Sequence, residues 1–505
     1  MNDLSCKERK TDDEQILSLL VVFSAVLLLV RLVPHLLSDL WYDEVVTLAD
    51  FAIGPSHANS ILHVFRSYPV ANNHVLFSAI SWLWVRILHF NAAEYLLRLP
   101  SLLFAFLTLF CIVWQWRKWL GVRVAGYAGL FLASSPVFAG FACQFRGYSL
   151  SILLGTLAVT GTMELASGSY RRGLLYCVPV ALLLPLVIPT NALLVIGHLI
   201  FLLCWCWPDL SLGRRLKRLL PVAVGLGLGC AFYLTIWPQF TKAAAQTAGW
   251  SSSWPVAGNL ALAMLAHSGP LALLFALKGF SLPWWRRRVA DAGGVLAWRL
   301  FASCMLPVLL VLLLLRSAPF PRVFLVFLPT FSFCIMLTFR ELKFWRDGRI
   351  LLVVGLVVMH GFLWDRATTQ LTEWQLGAGR HPQNLLQQYY RSSSALSDVA
   401  RWARQDNGAE RLLVVTDAYD FPTLRYYWGL VGLPQANVLA ENRHSDIFRN
   451  DAFPQQEFKI SVLAANEQDA ARLFEIVGAK GAFELAFRTQ GRGLYLQRGA
   501  DALQE

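Results

Sequence analysis

The sequence predicts an α-helical polytopic membrane protein of about eleven transmembrane helices, with juxtamembrane helices on its outer face and a small C-terminal α/β extracytoplasmic domain. Three observations predict it. Of 505 residues, 56% are hydrophobic and only 15% are charged, against about 25% charged residues in soluble globular chains. Apolar runs of about 20 residues, the length that spans a bilayer as a helix, recur up to Trp364. They are continuous rather than alternating, which excludes a membrane β-barrel. After Trp364 the composition turns polar.

The runs begin near Ile16, His74, Leu97, Val122, Tyr148, Gly173, Asn191, Leu219, Asn259, Val295, Arg322 and Ile350. The segment before the first, MNDLSCKERKTDDEQ, is long and charged and has no small-residue cleavage site, so the first helix is read as uncleaved. Lys and Arg total 44 against 32 Asp and Glu, a net charge of +12. In a membrane chain that excess is a topology signal in short cytoplasmic loops, and no nucleic-acid motif competes with it. Six basic segments carry it: Lys7–Lys10, Gln115–Arg123, Tyr170–Gly173, Arg214–Arg218, Trp285–Arg288 and Arg340–Arg349. If every run crossed, Gln115–Arg123 would lie opposite the four later segments. The conflict disappears if His74–Phe90, which follows a long polar segment and is interrupted by Arg86, lies along the outer face. The N-terminus is then cytoplasmic, the chain is a multi-pass protein of the inner (plasma) membrane, and everything after Trp364 is extracytoplasmic.

Two domains follow: a membrane domain over 1–365, with an outer loop at 38–73, and a soluble domain over 366–505. In the second, Arg411–Thr416, Lys459–Ala464, Phe483–Thr489 and Gly493–Arg498 read as strands, and Tyr419–Trp428 and Glu467–Ala479 as helices. Asp417, Tyr419 and Asp420 follow a strand end and read as a surface turn. Most of the nine cysteines lie inside apolar runs, where a thiol behaves as a small hydrophobe. GLGLG at Gly225–Gly229 sits in an apolar helix with no preceding strand, so helix packing explains it better than dinucleotide binding.

Polar groups at membrane depth are costly and are kept where they line a site, so chemistry is sought on the outer face. The first outer loop holds Asp43 and Glu44 in LWYDEVV, framed by apolar residues. Adjacent acids there suit general-base work or metal ligation; acids at a helix N-terminus are the other reading. Asn72-Asn73-His74 opens the second run, Arg98 in LLRLPS opens the third, and CQFRGYSL carries Gln144, Arg146 and Tyr148 at the top of a hairpin. Together they set two guanidiniums and an imidazole near an acidic loop, the chemistry that holds a phosphate ester while an acid activates a nucleophile. Arg322 in APFPRVF adds a third cation.

WYDE, then NNHVLFSAI, then YLLRLPSLLFAFLTL, then SSPVFAGFACQFRGYSL is an order of motifs that resembles the polyprenyl-phosphate-sugar glycosyltransferases of the GT-C class. These include the protein O-mannosyltransferases and the lipid A aminoarabinose transferases. The likeness covers residues 16 to about 170, the later helices only through FPRVFLVFLP, and the C-terminal domain not at all. It implies a GT-C-like fold and an inverting hexosyl- or pentosyltransferase. A sugar would move from a polyprenyl-phosphate donor to a lipid, glycan or protein acceptor on the extracytoplasmic side of the cell envelope. It also implies Asp43 as general base with Glu44 beside it, and donor binding at His74, Arg146 and Tyr148; Asn73, Arg98 and Arg322 join the expected substrate-binding set from their place on the outer face. QFRGYSL lacks the acid that several relatives carry in that motif, so a divalent cation is left open. The competing expectation is a secondary transporter or flippase of a lipid-linked or anionic substrate, which would carry ionisable residues at the bilayer midplane and broken helices in both halves.

Overall fold

The computed structural model describes residues 2–53, 60–68, 73–89, 93–248, 292–315, 321–340, 353–364, 366, 396–405, 412–417, 420–440, 459–464, 466–477, 482–489 and 492–497. The chain forms two compact units: Met1–Pro34 with Ser56–Gln387, and His35–Pro55 with Gln388–Glu505. The second unit therefore takes in part of the segment expected as the first outer loop. The boundary expected at residue 365 falls beside residues outside the described set.

In chain order the helices are α1 (Asn2–Leu36), α2 (Tyr42–Val46), α3 (Ile61–Arg66), α4 (Val75–Ile87), α5 (Glu94–Leu97), α6 (Leu99–Leu120), α7 (Val122–Ser134) and α8 (Pro136–Ala142). Then come α9 (Tyr148–Ala166), α10 (Tyr170–Val187), α11 (Ala192–Phe201), α12 (Leu212–Ala231) and α13 (Trp237–Ala248). The helices Ala292–Leu315 and Leu328–Phe339 follow. Among the described residues seven helices are long and apolar enough to cross a membrane, and an eighth if α7 and α8, bent by 69°, form one span. The run expected from Asn259 and the basic segments at 285–288 and 341–349 lie outside the described residues. Helix α4 has 13 residues, about 20 Å at 1.5 Å per residue, which is shorter than the ~30 Å of a hydrocarbon core.

Local chemistry explains the ends and breaks. Pro100 sits in the first turn of α6, and Gly121, at φ 82, ends that helix in a backbone conformation that other residues adopt only with strain. Between α7 and α8 the chain breaks at Ser135, whose hydroxyl accepts the Phe138 N–H at 3.1 Å and caps α8. The carbonyl of Ser134 takes a 2.7 Å hydrogen bond from Arg31 Nη1, so the broken ladder is satisfied from α1. Helix α9 is the most buried span of this unit. It packs against α6, α10 and the 3-10 turn Pro321–Phe327. The GLGLG motif of α12 packs as a helix interface, with Gly225 and Gly229 against the carbonyls of Val178 and Leu182 on α10.

Several basic segments meet at one end of this unit. Arg123 pairs with Asp13 at 2.8 Å and Lys118 with Glu164 at 2.8 Å. Arg340 donates to the Trp119 carbonyl at 2.7 Å, and the Tyr170 hydroxyl to that of Arg218 at 3.2 Å. Exposed pairs of this kind contribute about 0–1 kcal/mol each; their value is that they bring the ends of five segments together.

The second unit is a mixed five-stranded sheet of order β2-β1-β3-β5-β4, comprising β1 (Leu412–Thr416), β2 (Val438–Ala440), β3 (Lys459–Ala464), β4 (Phe483–Thr489) and β5 (Arg492–Gln497). β1 runs parallel to β2 and β3, whereas β5 is antiparallel to β3 and β4. Alternate residues of β1 feed opposite faces. Leu412 and Val414 pack with Val399, Leu424 and Trp428 of the helices Leu396–Gln405 and Asp420–Leu430. Leu413 and Val415 pack with Leu473 and Phe474 of the helix Glu467–Ile476. Burial on both faces is why β1 reads as a continuous apolar run. The turn at Asp417 serves the next helix, since its Oδ1 accepts the Asp420 N–H at 2.7 Å. Tyr419 lies outside the described residues.

Candidate active site

In the membrane unit, the turn Gln144–Gly147 between α8 and α9 is held from below. The Gln144 carbonyl accepts the Arg146 N–H at 2.6 Å and the Ser101 hydroxyl at 2.5 Å. Ser101 lies in the first turn of α6, three residues after Arg98, which is itself buried. The turn meets His74, the residue before α4. Gly147 N–H donates to His74 Nδ1 at 3.0 Å, and Arg146 Nη2 stands 3.2 Å from Nε2. Tyr148 packs edge-on against the imidazole with ring centroids 4.9 Å apart. Glycine is needed at 147 because a Cβ there would stand 2.7 Å from Val187 Cγ1 and 2.9 Å from His74 Nδ1.

The proton pattern of this contact is informative. With Nδ1 accepting from Gly147, a neutral ring carries its proton on Nε2. Two N–H donors, Nε2 of His74 and Nη2 of Arg146, then lie side by side. Donors so placed do not bond each other, and an oxygen acceptor set between them would serve both. Burial, then the charge of Arg146 and then that of Arg322, holds the His74 pKa well below its usual value, so the ring is neutral. The effect of Arg322, on the turn Pro321–Phe327, places a second cation within electrostatic reach of the imidazole. Arg146 is fully buried and Arg322 nearly so. Beside them Gln144 is also buried, and neither oxygen nor nitrogen of its side-chain amide has a hydrogen-bond partner among the described residues.

Asn73 is tied to its own chain: its Nδ2 donates to the Ser67 and Val64 carbonyls at 2.9 and 3.3 Å, and its Oδ1 accepts the Ser78 hydroxyl at 2.8 Å. It shapes the entry to α4 and so fixes His74. Asn72 lies outside the described residues. Tyr68 is a residue the sequence reading did not single out. Burial raises its pKa and the nearby charge of Arg146 opposes that rise. Its amide donates to Gln239 Oε1 at 2.6 Å, and its ring packs against Tyr233 and Phe240. The one sequence signal was an aromatic residue six positions before His74 in the same outer loop.

Asp43 and Glu44 lie in the other unit, on α2, each 1% exposed. Glu44 caps its own helix: its Oε2 accepts the Trp41 N–H at 3.1 Å while its amide donates to the Trp41 carbonyl at 2.9 Å. The Asp43 carbonyl accepts the Thr47 hydroxyl at 3.0 Å. Among the described residues no group of three or more His, Cys, Asp or Glu side chains is placed to hold a metal ion.

No protein-family model and no curated protein matches the sequence. Solved structures do. ArnT from Cupriavidus metallidurans bound to undecaprenyl phosphate aligns over 96% of this chain and 98% of its own, at TM-score 0.53 and 14% identity. The same protein in the apo state aligns over 95% and 98%, at TM-score 0.54 and 12% identity. The Archaeoglobus fulgidus oligosaccharyltransferase, solved with Zn and sulfate, aligns over 94% and 73% at a TM-score of only 0.42 and 11% identity, too low to carry an argument. The chain thus shares the ArnT fold along nearly its whole length.

Proposed function

We propose that this protein is an integral-membrane glycosyltransferase that moves a sugar from a polyprenyl-phosphate donor to an acceptor on the extracytoplasmic side. The observation that carries this reading is the buried pair of donors, His74 Nε2–H and Arg146 Nη2–H, beside the side chain of Gln144 and within the field of Arg322. A phosphate monoanion or diester matches such a cluster, because its oxygens can accept from charged guanidinium N–H donors and from a neutral imidazole N–H alike. The ArnT fold supports the reading, since ArnT itself was solved with undecaprenyl phosphate. Arg98, buried three residues before the Ser101 that holds the Gln144 turn, is assigned to the same substrate-binding set, and Asn73 and Tyr148 set the position of His74.

Transfer needs an anion holder for the leaving group and a base for the acceptor. His74, Arg146 and Arg322 suit the first role and Asp43 suits the second. The acceptor oxygen attacks the anomeric carbon as its proton passes to the Asp43 carboxylate. The bond from that carbon to the phosphate oxygen breaks, and polyprenyl phosphate departs with the electron pair. A single displacement inverts the anomeric centre. The negative charge that builds on the leaving phosphate is countered by Arg146 and Arg322.

The topology that fits is eleven crossings with a cytoplasmic N-terminus and α4 lying along the outer interface. Transport of the same lipid is favoured by one observation, His198 buried within a span between the hydroxyls of Thr162 at 2.7 Å and Thr330 at 3.4 Å. The experiment that separates the two uses purified protein, a polyprenyl-phosphate sugar and an acceptor pool. Glycosyl transfer releases free polyprenyl phosphate, whereas transport leaves the donor intact. Mass spectrometry of surface glycans in a deletion strain then identifies the product.

A further inference from the structure

Residues 35–55, which hold the acid pair, fold as part of the C-terminal unit, and the sheet domain grips the chain immediately before the acids. Asp39 caps the helix Leu396–Gln405: its Oδ2 accepts the Ser397 N–H at 2.7 Å and its Oδ1 the Ser397 hydroxyl at 2.9 Å. The next residue, Leu40, donates its N–H to the Tyr427 hydroxyl at 2.8 Å. The next, Trp41, donates its N–H to Glu44. Three successive residues are thereby fixed, and two of the anchors come from positions 358 and 387 residues away. Leu40 is 1% exposed, so its amide has no water to fall back on. Tyr427 stands in the helix Asp420–Leu430, its ring packed in the core with Leu424, Trp428 and Leu433.

We infer that Tyr427 is a positioning residue for the acid pair, with Ser397 as a second tether, so that the C-terminal unit sets where the Asp43 carboxylate stands. This rests on the reading of Asp43 as the base. A base must lie within hydrogen-bond reach of the proton it takes, and a displacement of about 1 Å lowers the rate about a hundredfold. The Tyr427 hydroxyl acts through the backbone of Leu40, three residues before Asp43, and touches no substrate.

The test is a mutant cycle on the full-length protein in detergent. Tyr427→Phe keeps the ring and removes the acceptor of the Leu40 amide. We expect kcat to fall about tenfold, the size of one buried hydrogen bond, with donor KM unchanged. On an Asp43→Asn background the same change should have no further effect, because a positioning residue acts only through the group it positions. A wild-type kcat from Tyr427→Phe, or an undiminished effect on the Asp43→Asn background, overturns the positioning role. If Tyr427→Phe melts at lower temperature, Ser397→Ala, which leaves the aromatic core intact, carries the same cycle with the same expected outcome. A wild-type rate from Asp43→Asn alone overturns the base assignment instead, whatever Tyr427→Phe does.

Discussion

Gly147 gives His74 both its hydrogen bond and its room. The backbone N–H reaches Nδ1 at 3.0 Å, and a Cβ at 147 would stand 2.9 Å from that same nitrogen and 2.7 Å from Val187. Gly147→Ala should push the imidazole away from Arg146 and weaken donor binding about tenfold, since overpacking of this kind costs about 1–3 kcal/mol. Binding of a fluorescent polyprenyl-phosphate analogue to purified protein measures it. Unchanged affinity would separate the His74 geometry from phosphate recognition.

Arg146 presents its fork from a turn fixed by Ser101. Arg146→Ala should weaken donor binding by about tenfold to a hundredfold, the range for a hydrogen bond to a charged group. Arg146→Lys should restore only part of it, because an ammonium cannot replace the planar fork. If lysine restores full affinity, the site reads charge alone.

His74 also predicts a pH dependence. Its folded pKa is lowered by burial first, then by Arg146 and Arg322, so below about pH 6.5 the unfolded chain binds a proton that the fold does not. Stability contributed by the neutral ring is present above that pH and is lost as pH falls toward the folded pKa. The melting temperature of the wild type should therefore drop between about pH 7 and about pH 5.5 by more than that of His74→Gln. Parallel curves for the two proteins would contradict a neutral, buried His74.

What the sequence made legible was what neighbours in the chain decide. The spans from Leu99, Tyr148 and Tyr170 follow from continuous apolar runs, and β1, β3, β4 and β5 follow from short runs bounded by turn residues. The strand Val438–Ala440 has three residues, too few for a periodic signal. The grouping of His74 with Arg146 and Tyr148 could be inferred only by placing all three on one face. The attachment of residues 39 and 40 to Ser397 and Tyr427 had no local signal, because neither Asp39 nor Tyr427 belongs to a motif. Asn73 looked like a ligand beside His74, yet its side chain is occupied by Val64, Ser67 and Ser78. Sequence alone cannot tell an amide that faces a substrate from one that braces a loop.

The topology makes its own prediction. With Cys204 and Cys230, both exposed, replaced by serine, single cysteines at Val122 and Ser211 should resist an impermeant maleimide in intact cells. A cysteine at Thr241, after α12, should react. Labelling of Val122→Cys from outside would place α4 across the membrane and remove the eleven-crossing arrangement.

The acid pair allows the most direct test, because Glu44 closes its own helix cap whereas Asp43 is the proposed base. The Glu44 carboxylate accepts the Trp41 amide, and a glutamine can accept the same bond, so Glu44→Gln should stay within a few-fold of wild-type turnover. Asp43 closes no such cap. Its carboxylate is the one assigned to the acceptor proton, and Asp43→Asn preserves shape while removing basicity. General bases contribute about 10²–10⁴-fold, so turnover should fall by that factor while donor affinity, which depends on His74 and Arg146, stays unchanged. Measured on correctly inserted protein, that split between rate and binding separates a base from a ligand of the phosphate. If Glu44→Gln is inactive and Asp43→Asn is not, the two carboxylates exchange roles and Trp41 is braced by the catalytic group itself.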